Sequence, residues 1–404
     1  MTWHPWGQLR GLPRSVWVLW TAVLVNRSGT MVLPFLVLYL TRSLGLSPSR
    51  AALALAVYGI GAVITAPLAG RLADRSGPRR IVIGSLFVSA ILLLFMPLAR
   101  TLPSVLVMTL AWAVAGEALR PASLAWLTDL VPPDRRRAGF ALNRLAVNLG
   151  MSLGPAIAGF VAQVSFTAIF VLDALTSMLA GALLLLATRA GPHDALPAEA
   201  AAGAEPDRRR AWRDPAFLYF LAAILPVQIV FFQHEAAMPL FLVRDLGLAE
   251  SAYGLMFTIN TLMVILIEVP LNSAMSEWSY RRTLATGAFL IGAGFGALGL
   301  ARGGWSASAT VVVWTFGEMI LLPCTAAFVA EAAPPARRGE YLGLYSMSFS
   351  SAFAVAPWIG ARIMESWGSR VVWACSFAAG LVSVAMVRGL RAPAPGRRHA
   401  PGDV

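Results

Sequence analysis

Residues Gly70 to Arg80 read Gly-Arg-Leu-Ala-Asp-Arg-Ser-Gly-Pro-Arg-Arg, and this arginine-rich stretch separates two apolar runs. The runs cover 51–69 and 81–98, and each is close to the ~20 residues that a helix needs to cross a bilayer. Arginines next to membrane segments are retained on the cytoplasmic side. The stretch therefore predicts a cytoplasmic turn that fixes the orientation of the chain.

The composition argues against a soluble globular protein. Of the 404 residues, 58% are hydrophobic and only 13% are charged, which is typical of a chain that crosses a membrane many times. The net charge of +12 comes from arginines placed between apolar runs, so membrane orientation explains it better than nucleic-acid binding. We expect a lipid bilayer as a partner and no nucleic acid.

Twelve apolar runs have the length of membrane spans, and we number them 1 to 12 in chain order. Most of the 32 basic residues lie on the side of the membrane that carries both termini, so we expect both termini in the cytoplasm. All 32 are arginine, and alanine, glycine and proline are abundant, which indicates a bacterium with a GC-rich genome. The expected location is therefore a bacterial inner membrane, which the chain crosses many times. The predicted spans are 15–40, 51–70, 81–99, 104–128, 140–162, 166–188, 216–243, 251–274, 283–301, 307–330, 340–361 and 369–388.

The two halves of the chain repeat at an offset of about 202 residues. Gly45-Leu46 recurs as Gly247-Leu248, and Gly116-Glu117 recurs as Gly317-Glu318. Six-span halves in the same orientation are parallel repeats, an organisation that several transporter folds share. We expect an N-terminal six-helix bundle over 1–188, a cytoplasmic linker over 189–215, a C-terminal six-helix bundle over 216–391 and a cytoplasmic tail over 392–404.

The loop between spans 2 and 3 resembles the signature of the major facilitator superfamily at Gly70, Leu72, Asp74, Arg75, Gly77 and Arg79. The resemblance implies an all-α membrane protein with 12 transmembrane helices in two pseudo-symmetric six-helix bundles. It also implies a charge cluster at the cytoplasmic ends that latches one conformation. We expect Gly70, Asp74, Arg75, Gly77, Arg79 and Asp129 to form that latch.

Ionisable residues inside the spans mark the candidate site, because a charge in a bilayer is costly unless it faces a bundle interior or a watery cavity. In the family that the chain resembles, spans 1, 4, 7 and 10 line the central cavity. Five of the seven residues lie in those spans. The set is Arg27, Glu117, Arg120, Asp173, Glu235, Glu268 and Glu318.

Three carboxylates are predicted to couple transport to protons. Glu318 is the first candidate as proton carrier, Glu235 is the second, and Glu117 is the third. A carboxylate in a low-dielectric cavity can bind and release a proton near neutral pH because desolvation disfavours its charged form. His234 is a possible relay beside Glu235, with packing as the alternative reading.

Substrate binding is assigned to polar residues of spans 1, 4, 7 and 8: Asn26, Arg27, Arg120, His234 and Glu268. Arg27 either meets Glu117 or binds an anionic group of the ligand. Arg120 lies three residues after Glu117 on one helix face, so a structural ion pair is the alternative. Glu268 is a ligand residue, a gate or a carboxylate at a helix break. Asp173 is read as an interfacial or capping group.

Span 5 carries Gly150, Gly154, Pro155 and Gly159, which resemble the antiporter signature of the same superfamily. Small residues four apart let another helix approach closely, and proline frees a backbone carbonyl and bends the helix. Ordinary helix packing would use the same residues. The resemblance implies exchange of a substrate against protons.

The sequence thus predicts a secondary transporter that exports amphipathic small molecules, such as drugs or secondary metabolites, in exchange for protons by alternating access. One alternative is a proton symporter that imports a charged metabolite or peptide, and another is a membrane interaction protein without transport.

The sequence contains no nucleotide loop, metal-ligand spacing or nucleophile triad. We expect no enzyme activity, no cofactor, no metal, and a monomer whose partners are its substrate and protons.

Overall fold

The computed structural model describes residues 12–131, 136–188, 211–275, 277–334 and 338–390. Within these ranges the chain is helical and has no β-strand. Twelve of its segments are long and apolar enough to cross a membrane, so the predicted twelve-span, all-α fold is confirmed. The predicted linker, up to residue 210, and the predicted tail lie outside the described residues.

The N-terminal half contains spans 1 to 6. Span 1 and span 4 each consist of two consecutive helices, whereas the other four spans are single helices. The helices are Arg14–Ser28 and Val32–Arg42 (span 1), Pro48–Ser76 (span 2), Pro78–Phe95 (span 3), Leu102–Glu117 and Leu119–Leu130 (span 4), Arg136–Val164 (span 5) and Phe166–Ala187 (span 6).

The C-terminal half contains spans 7 to 12 and repeats this order. Span 7 is divided by a 3-10 turn and ends in a π-helical turn, and the other spans are single helices. The helices are Pro215–Phe231 and Ala237–Leu240 (span 7), Glu250–Ala274 (span 8), Tyr280–Ala297 (span 9), Gly304–Ala332 (span 10), Arg338–Trp367 (span 11) and Ser369–Arg388 (span 12).

The 202-residue repeat is visible in the backbone between spans 1 and 2 and between spans 7 and 8. Gly45 and Gly247 both have φ +65°, a left-handed conformation that glycine adopts without a steric cost. The residue after each glycine closes the same turn, with Leu46 N–H donating to Leu40 O and Leu248 N–H donating to Leu242 O. The two halves therefore form the same turn at equivalent positions.

The two halves meet along two antiparallel helix pairs, spans 5 and 8 and spans 2 and 11. In the first pair, a Cβ atom on Gly254 would lie 2.2 Å from the carbonyl oxygen of Pro155. In the second pair, a Cβ atom on Gly59 would lie 2.8 Å from Cα of Ala354. Close backbone contact of this kind is how membrane helices associate without a hydrophobic driving force.

Candidate functional site

Glu318 of span 10 is held by a neutral amide from span 8. Asn260 Nδ2 donates to Glu318 Oε2 over 2.6 Å and also reaches Thr315 Oγ1 at 3.0 Å. No ion pair is formed by Glu318 within the described residues. A membrane carboxylate whose contact is a neutral donor can exist in either protonation state without leaving a cation unpaired.

The break in span 7 contains Glu235 and His234. The chain forms a 3-10 turn over Phe232–Glu235 before helix resumes at Ala237. His234 Nε2 lies 3.2 Å from Glu235 Oε1. Glu235 Oε2 is buried, and no hydrogen-bond partner for it exists in the described part of the chain. The break thus places an incompletely satisfied carboxylate inside the C-terminal half.

Aromatic rings enclose His234. The Trp314 ring stacks on the imidazole at 6.1 Å between centroids, and Phe231 and Phe257 contact it at 4.9 and 5.7 Å. The adjoining cavity has a volume of about 10 Å³, which is close to the minimum for one water molecule. This part of the span 7 break is closed around the histidine and has no room for a substrate.

Glu268 forms an ion pair with Arg144 of span 5, so the pair joins the two halves. The Arg144 side chain is 63% exposed and that of Glu268 is 12% exposed. One turn further along span 8, Asn272 Nδ2 donates to Met319 O at 3.1 Å. Glu268 therefore lies between the opposite half and the helix that carries Glu318.

A polar cavity of about 130 Å³ lies inside the N-terminal half. Its lining comes only from spans 1 to 6 and includes Arg27, Glu117 and Asp173. Within it, Tyr58 Oη donates to Glu117 Oε1 over 2.7 Å. The volume is sufficient for several water molecules but is below the ~300 Å³ of a typical drug-sized pocket. The predicted charged residues of spans 1 and 4 therefore share a small cavity.

Asp173 stabilises the break in span 1. Its Oδ2 accepts hydrogen bonds from the N–H groups of Met31 and Val32, both 3.1 Å. These are the unsatisfied donors at the start of the second helix of the span, so the carboxylate acts as a cap supplied by span 6. Asn26 Nδ2 donates to Ser177 Oγ across the same contact. This geometry agrees with the interpretation of Asp173 as a helix-capping residue.

Arg27 and Arg120 are placed differently. Arg27 lines the N-terminal cavity, and its guanidinium forms no hydrogen bond or ion pair with any described residue, whereas its backbone carbonyl accepts from Thr30 N–H. Arg120 is exposed, and its side chain is not part of that cavity lining. Glu117 bonds to Tyr58, and the alternative of a Glu117–Arg120 ion pair is not realised. The structure does not bring the two arginines together in this cavity, and their roles in substrate binding stay predictions.

The glycines of span 5 contact two different helices. A Cβ atom on Gly150 would lie 2.4 Å from Cβ of Arg27, and one on Gly154 would lie 2.9 Å from Thr30 O, both in span 1. A Cβ atom on Gly159 would lie 2.8 Å from Glu250 O in span 8. The motif thus joins the span 1 break to the contact between the halves.

The predicted latch is described only in part. Gly77 has φ +83° between spans 2 and 3, and Asp129 is exposed at the end of span 4. Arg79 Nε donates to Thr188 Oγ1, and its Nη2 donates to Thr188 O, both at 2.8 Å. Arg79 therefore binds the end of span 6 in its own half. For Gly70, Asp74 and Arg75 the structure describes the helix but no side chain, so the latch stays a prediction.

Three residues of the site were missed in the sequence: Tyr58, Asn260 and Arg144. Tyr58 and Asn260 lie about 202 residues apart, as do Glu117 and Glu318, but the offset does not show that either residue contacts a carboxylate. Arg144 falls within predicted span 5, over 140–162, and within the helix that begins at Arg136, but it was not counted among the ionisable residues of the spans. Its position inside the helix was the available signal.

Comparison with known proteins gives a family for the whole chain. A family model described as Major Facilitator Superfamily matches residues 19–243 and 229–403. The chain is 26% identical over 370 residues to a Na(+), Li(+), K(+)/H(+) antiporter of Planococcus maritimus, covering 82% of this chain and 85% of that protein. It is also 26% identical over 236 residues to multidrug resistance protein 1 of Bacillus subtilis (strain 168), covering 58% and 60%.

Solved structures agree with the fold. The crystal structure of a POT family transporter in complex with 5-aminolevulinic acid superposes with a TM-score of 0.78 at 16% sequence identity. The match covers 93% of this chain and 95% of that one. At this identity the similarity establishes the arrangement of the helices and carries no information on the substrate.

Proposed function

The chain belongs to the Major Facilitator Superfamily, a family of membrane transporters, and from that membership we propose that it is a proton-coupled antiporter. It exports amphipathic small molecules, such as drugs or secondary metabolites, by alternating access. The proposed location is a bacterial inner membrane, with both termini in the cytoplasm and the two bundles at 1–188 and 216–391. The proposed functional unit is a monomer.

The observation that carries proton coupling is the pair of matching carboxylates, Glu117 and Glu318. Each accepts a short hydrogen bond from a neutral donor, Tyr58 or Asn260, and neither forms an ion pair with a described residue. A carboxylate with such a neighbour can release a proton to water and take it back at a modest electrostatic cost. Glu318 is the proposed carrier, and Glu235 is the second candidate.

Two observations favour exchange over co-transport. The span 5 motif makes close contacts both with the broken span 1 and with span 8 of the other half. The relatives include one named an antiporter and one named for multidrug resistance. In this proposal the cargo and the proton occupy the site in different conformations, so that each leaves before the other binds.

Alternating access is supported by the small number of polar links between the halves among the residues that the structure describes. At the end of the molecule predicted to face outside, Arg42 pairs with Glu250, and Ser49 N–H donates to Glu365 Oε2 at 3.3 Å. Glu268 and Arg144 form the link nearer the opposite end. Few individual bonds have to break for either end to open, which suits two states of similar free energy.

A symporter that imports a charged metabolite or peptide is the second candidate. Arg27 favours it, because an unpaired guanidinium in a polar cavity can bind a carboxylate or phosphate group of a ligand. Arg27 lies next to Glu117 in the same lining. In this case Glu117 would carry the proton and the N-terminal cavity would receive the anionic end of the cargo.

Vesicles of opposite orientation separate the two candidates. Everted vesicles that contain the protein are energised with acid inside and tested with tetraphenylphosphonium and ethidium. The antiporter accumulates at least one of these cations, and Glu318→Gln does not. Accumulation of a dipeptide by right-side-out vesicles under an inward proton gradient, with no cation accumulated by everted vesicles, would overturn export in favour of symport.

A further inference from the structure

The ion pair between Arg144 and Glu268 links the two halves close to the proposed proton carrier. Arg144 belongs to span 5 and Glu268 to span 8, which pack antiparallel. Further along the same interface, Thr258 Oγ1 donates to Ser152 O at 3.0 Å, and Gly254 packs on Pro155. The pair is thus a charged contact in an interface where small residues and backbone atoms also pack closely.

Span 8 connects this pair to Glu318. The same helix carries Asn260, which bonds to the Glu318 carboxylate, and Asn272, which bonds to the backbone at Met319. Among the described residues, the charged and titratable groups with an electrostatic effect on the Glu318 carboxyl group include His234 of span 7, Glu268 of span 8 and Arg144 of span 5. Among them, Arg144 is the one that belongs to the opposite half.

We propose that Arg144 is the positioning residue that converts the protonation state of Glu318 into relative movement of the two halves, by pairing with Glu268 when Glu318 is protonated and with Glu318 when it is not. This inference rests on the proposed function, since it takes Glu318 as the carrier. Arg144 binds neither the cargo nor the proton. It acts through the two carboxylates of the C-terminal half.

The carboxylates of Glu268 and Glu318 compete for the guanidinium of Arg144. When the Glu318 carboxyl group releases its proton to water, two carboxylates on neighbouring helices share one nearby cation. Arg144 is more than half exposed, so its long side chain is free to exchange between acceptors. Because Arg144 is anchored in span 5, a change of partner biases how spans 5 and 8 lie against each other.

Transport by charge variants distinguishes this role from a structural ion pair. Arg144→Lys keeps the cation, and Arg144→Gln removes it. The exchanged pair, Arg144→Glu with Glu268→Arg, restores opposite charges but places the guanidinium in the same half as Glu318. Arg388→Gln is the control, since Arg388 is exposed at the end of span 12.

We expect Arg144→Gln and the exchanged pair to lower pH-driven accumulation at least about fivefold, the lower end of typical coupling between sites. Arg144→Lys and Arg388→Gln keep most of it, and the single variants at Arg144 and Arg388 keep the wild-type affinity for cargo. Full recovery of accumulation by the exchanged pair would overturn the proposal, because a merely structural pair tolerates exchange.

A distance measurement tests Arg144 even if no cargo is transported. Leu98 and Leu300 lie about 202 residues apart at equivalent ends of spans 3 and 9, and they are 70% and 81% exposed. Spin labels on Leu98→Cys and Leu300→Cys, with Cys324→Ala and Cys375→Ala to remove native thiols, report the separation of the halves. The distance is recorded from pH 5 to pH 9 in the purified protein.

The expected result is a pH-dependent shift in the distance distribution of the otherwise wild-type protein. That shift is abolished by Arg144→Gln and by Glu318→Gln, and it is retained by Arg388→Gln. A shift that persists in Arg144→Gln, or no shift in the wild-type background, would overturn the role of Arg144. Failure of transport with an intact, Arg144-dependent shift would count against the proposed antiport alone.

Discussion

Asn260 Nδ2 donates a 2.6 Å hydrogen bond to Glu318 Oε2, and this contact repeats in the other half as a 2.7 Å hydrogen bond from Tyr58 Oη to Glu117 Oε1. The donors lie on spans 8 and 2, and the acceptors lie on spans 10 and 4. The two halves therefore share the contact, with a phenol as the donor in one half and an amide as the donor in the other. Each half holds one membrane carboxylate by the same geometry.

The first prediction concerns the charge of Glu318. Glu318→Gln retains a carbonyl oxygen that accepts from Asn260 but removes the titratable proton. We expect pH-driven accumulation to fall about 5- to 150-fold, the range of typical coupling between sites, with cargo affinity unchanged. Transport assays in proteoliposomes measure the first quantity and equilibrium binding measures the second.

Thr315→Val is the matched control for Glu318→Gln, because Thr315 Oγ1 is the other acceptor of Asn260 and carries no charge. It should retain coupled transport. If Glu318→Gln transported as well as the wild type, Glu318 would be eliminated as the carrier and Glu235 would take its place as the candidate.

The second prediction concerns the interface of spans 5 and 8. Gly254→Ala places a methyl group 2.2 Å from Pro155 O, so the helices must separate. We expect a loss of about 1–3 kcal/mol of stability, as for other overpacked contacts, seen as a lower unfolding temperature in detergent. Gly343→Ala is the control, since no heavy atom beyond its chain neighbours and the adjacent backbone of its own helix lies within 4 Å of its Cβ position. Equal unfolding temperatures for the two variants would contradict the close packing.

The third prediction concerns the cap on span 1. Asp173→Ala removes the acceptor of the Met31 and Val32 N–H groups. Loss of a helix cap costs about 0.5–2 kcal/mol, so the unfolding temperature should fall. Asp245→Asn, at an exposed position, should leave it unchanged. An unaltered unfolding temperature in Asp173→Ala would show that the cap contributes nothing.

The fourth prediction concerns the end of the molecule predicted to lie outside. Arg42→Gln leaves the nearly buried Glu250 carboxylate without its cation. We expect the closed arrangement to lose about 1–3 kcal/mol, between the values for an exposed and a buried pair. Labels at Leu98 and Leu300 should then report a larger distance.

Arg50→Gln is the control for Arg42→Gln, because Arg50 is an exposed arginine in the same region of the molecule. It should leave the distance distribution unchanged. The same distribution in Arg42→Gln and the wild type would mean that the Arg42–Glu250 pair has no part in closing that end.

The fifth prediction separates the two readings of Arg27. Arg27→Gln should weaken the binding of ligands with an anionic group by about tenfold, equivalent to ~1.4 kcal/mol, and leave cationic ligands unaffected. Isothermal titration with matched anionic and cationic compounds measures both. Unchanged affinity for every ligand would exclude a ligand-binding role for Arg27 and leave it as a lining residue of the polar cavity in its own half.

The spans and the repeat were predictable because they depend on composition and periodicity. Helix length is set by the bilayer, and arginine placement is set by orientation, so the twelve spans follow from the sequence alone. Glu117 and Glu318 were paired by the repeat for the same reason. The repeat is a property of the sequence, and the equivalence of the two carboxylates follows from it.

Partners across helices were not predictable in the same way. Glu117 and Arg120 share a helix face, yet Glu117 bonds to Tyr58 of another span. Helix periodicity gives the face on which a side chain lies but not which neighbour approaches it. The ion pair of Arg144 with Glu268 has the same origin, since it depends on how spans 5 and 8 pack.

The decisive measurement is the direction of proton movement during cargo transport in proteoliposomes with wild-type protein. Tetraphenylphosphonium and ethidium are each added outside vesicles that are acidic inside, and a trapped pH dye records the lumen. The prediction is uptake of at least one cation against its gradient together with alkalinisation of the lumen, both absent in Glu318→Gln. Cation movement without any proton flux, or with protons moving in the same direction as the cation, would contradict proton antiport.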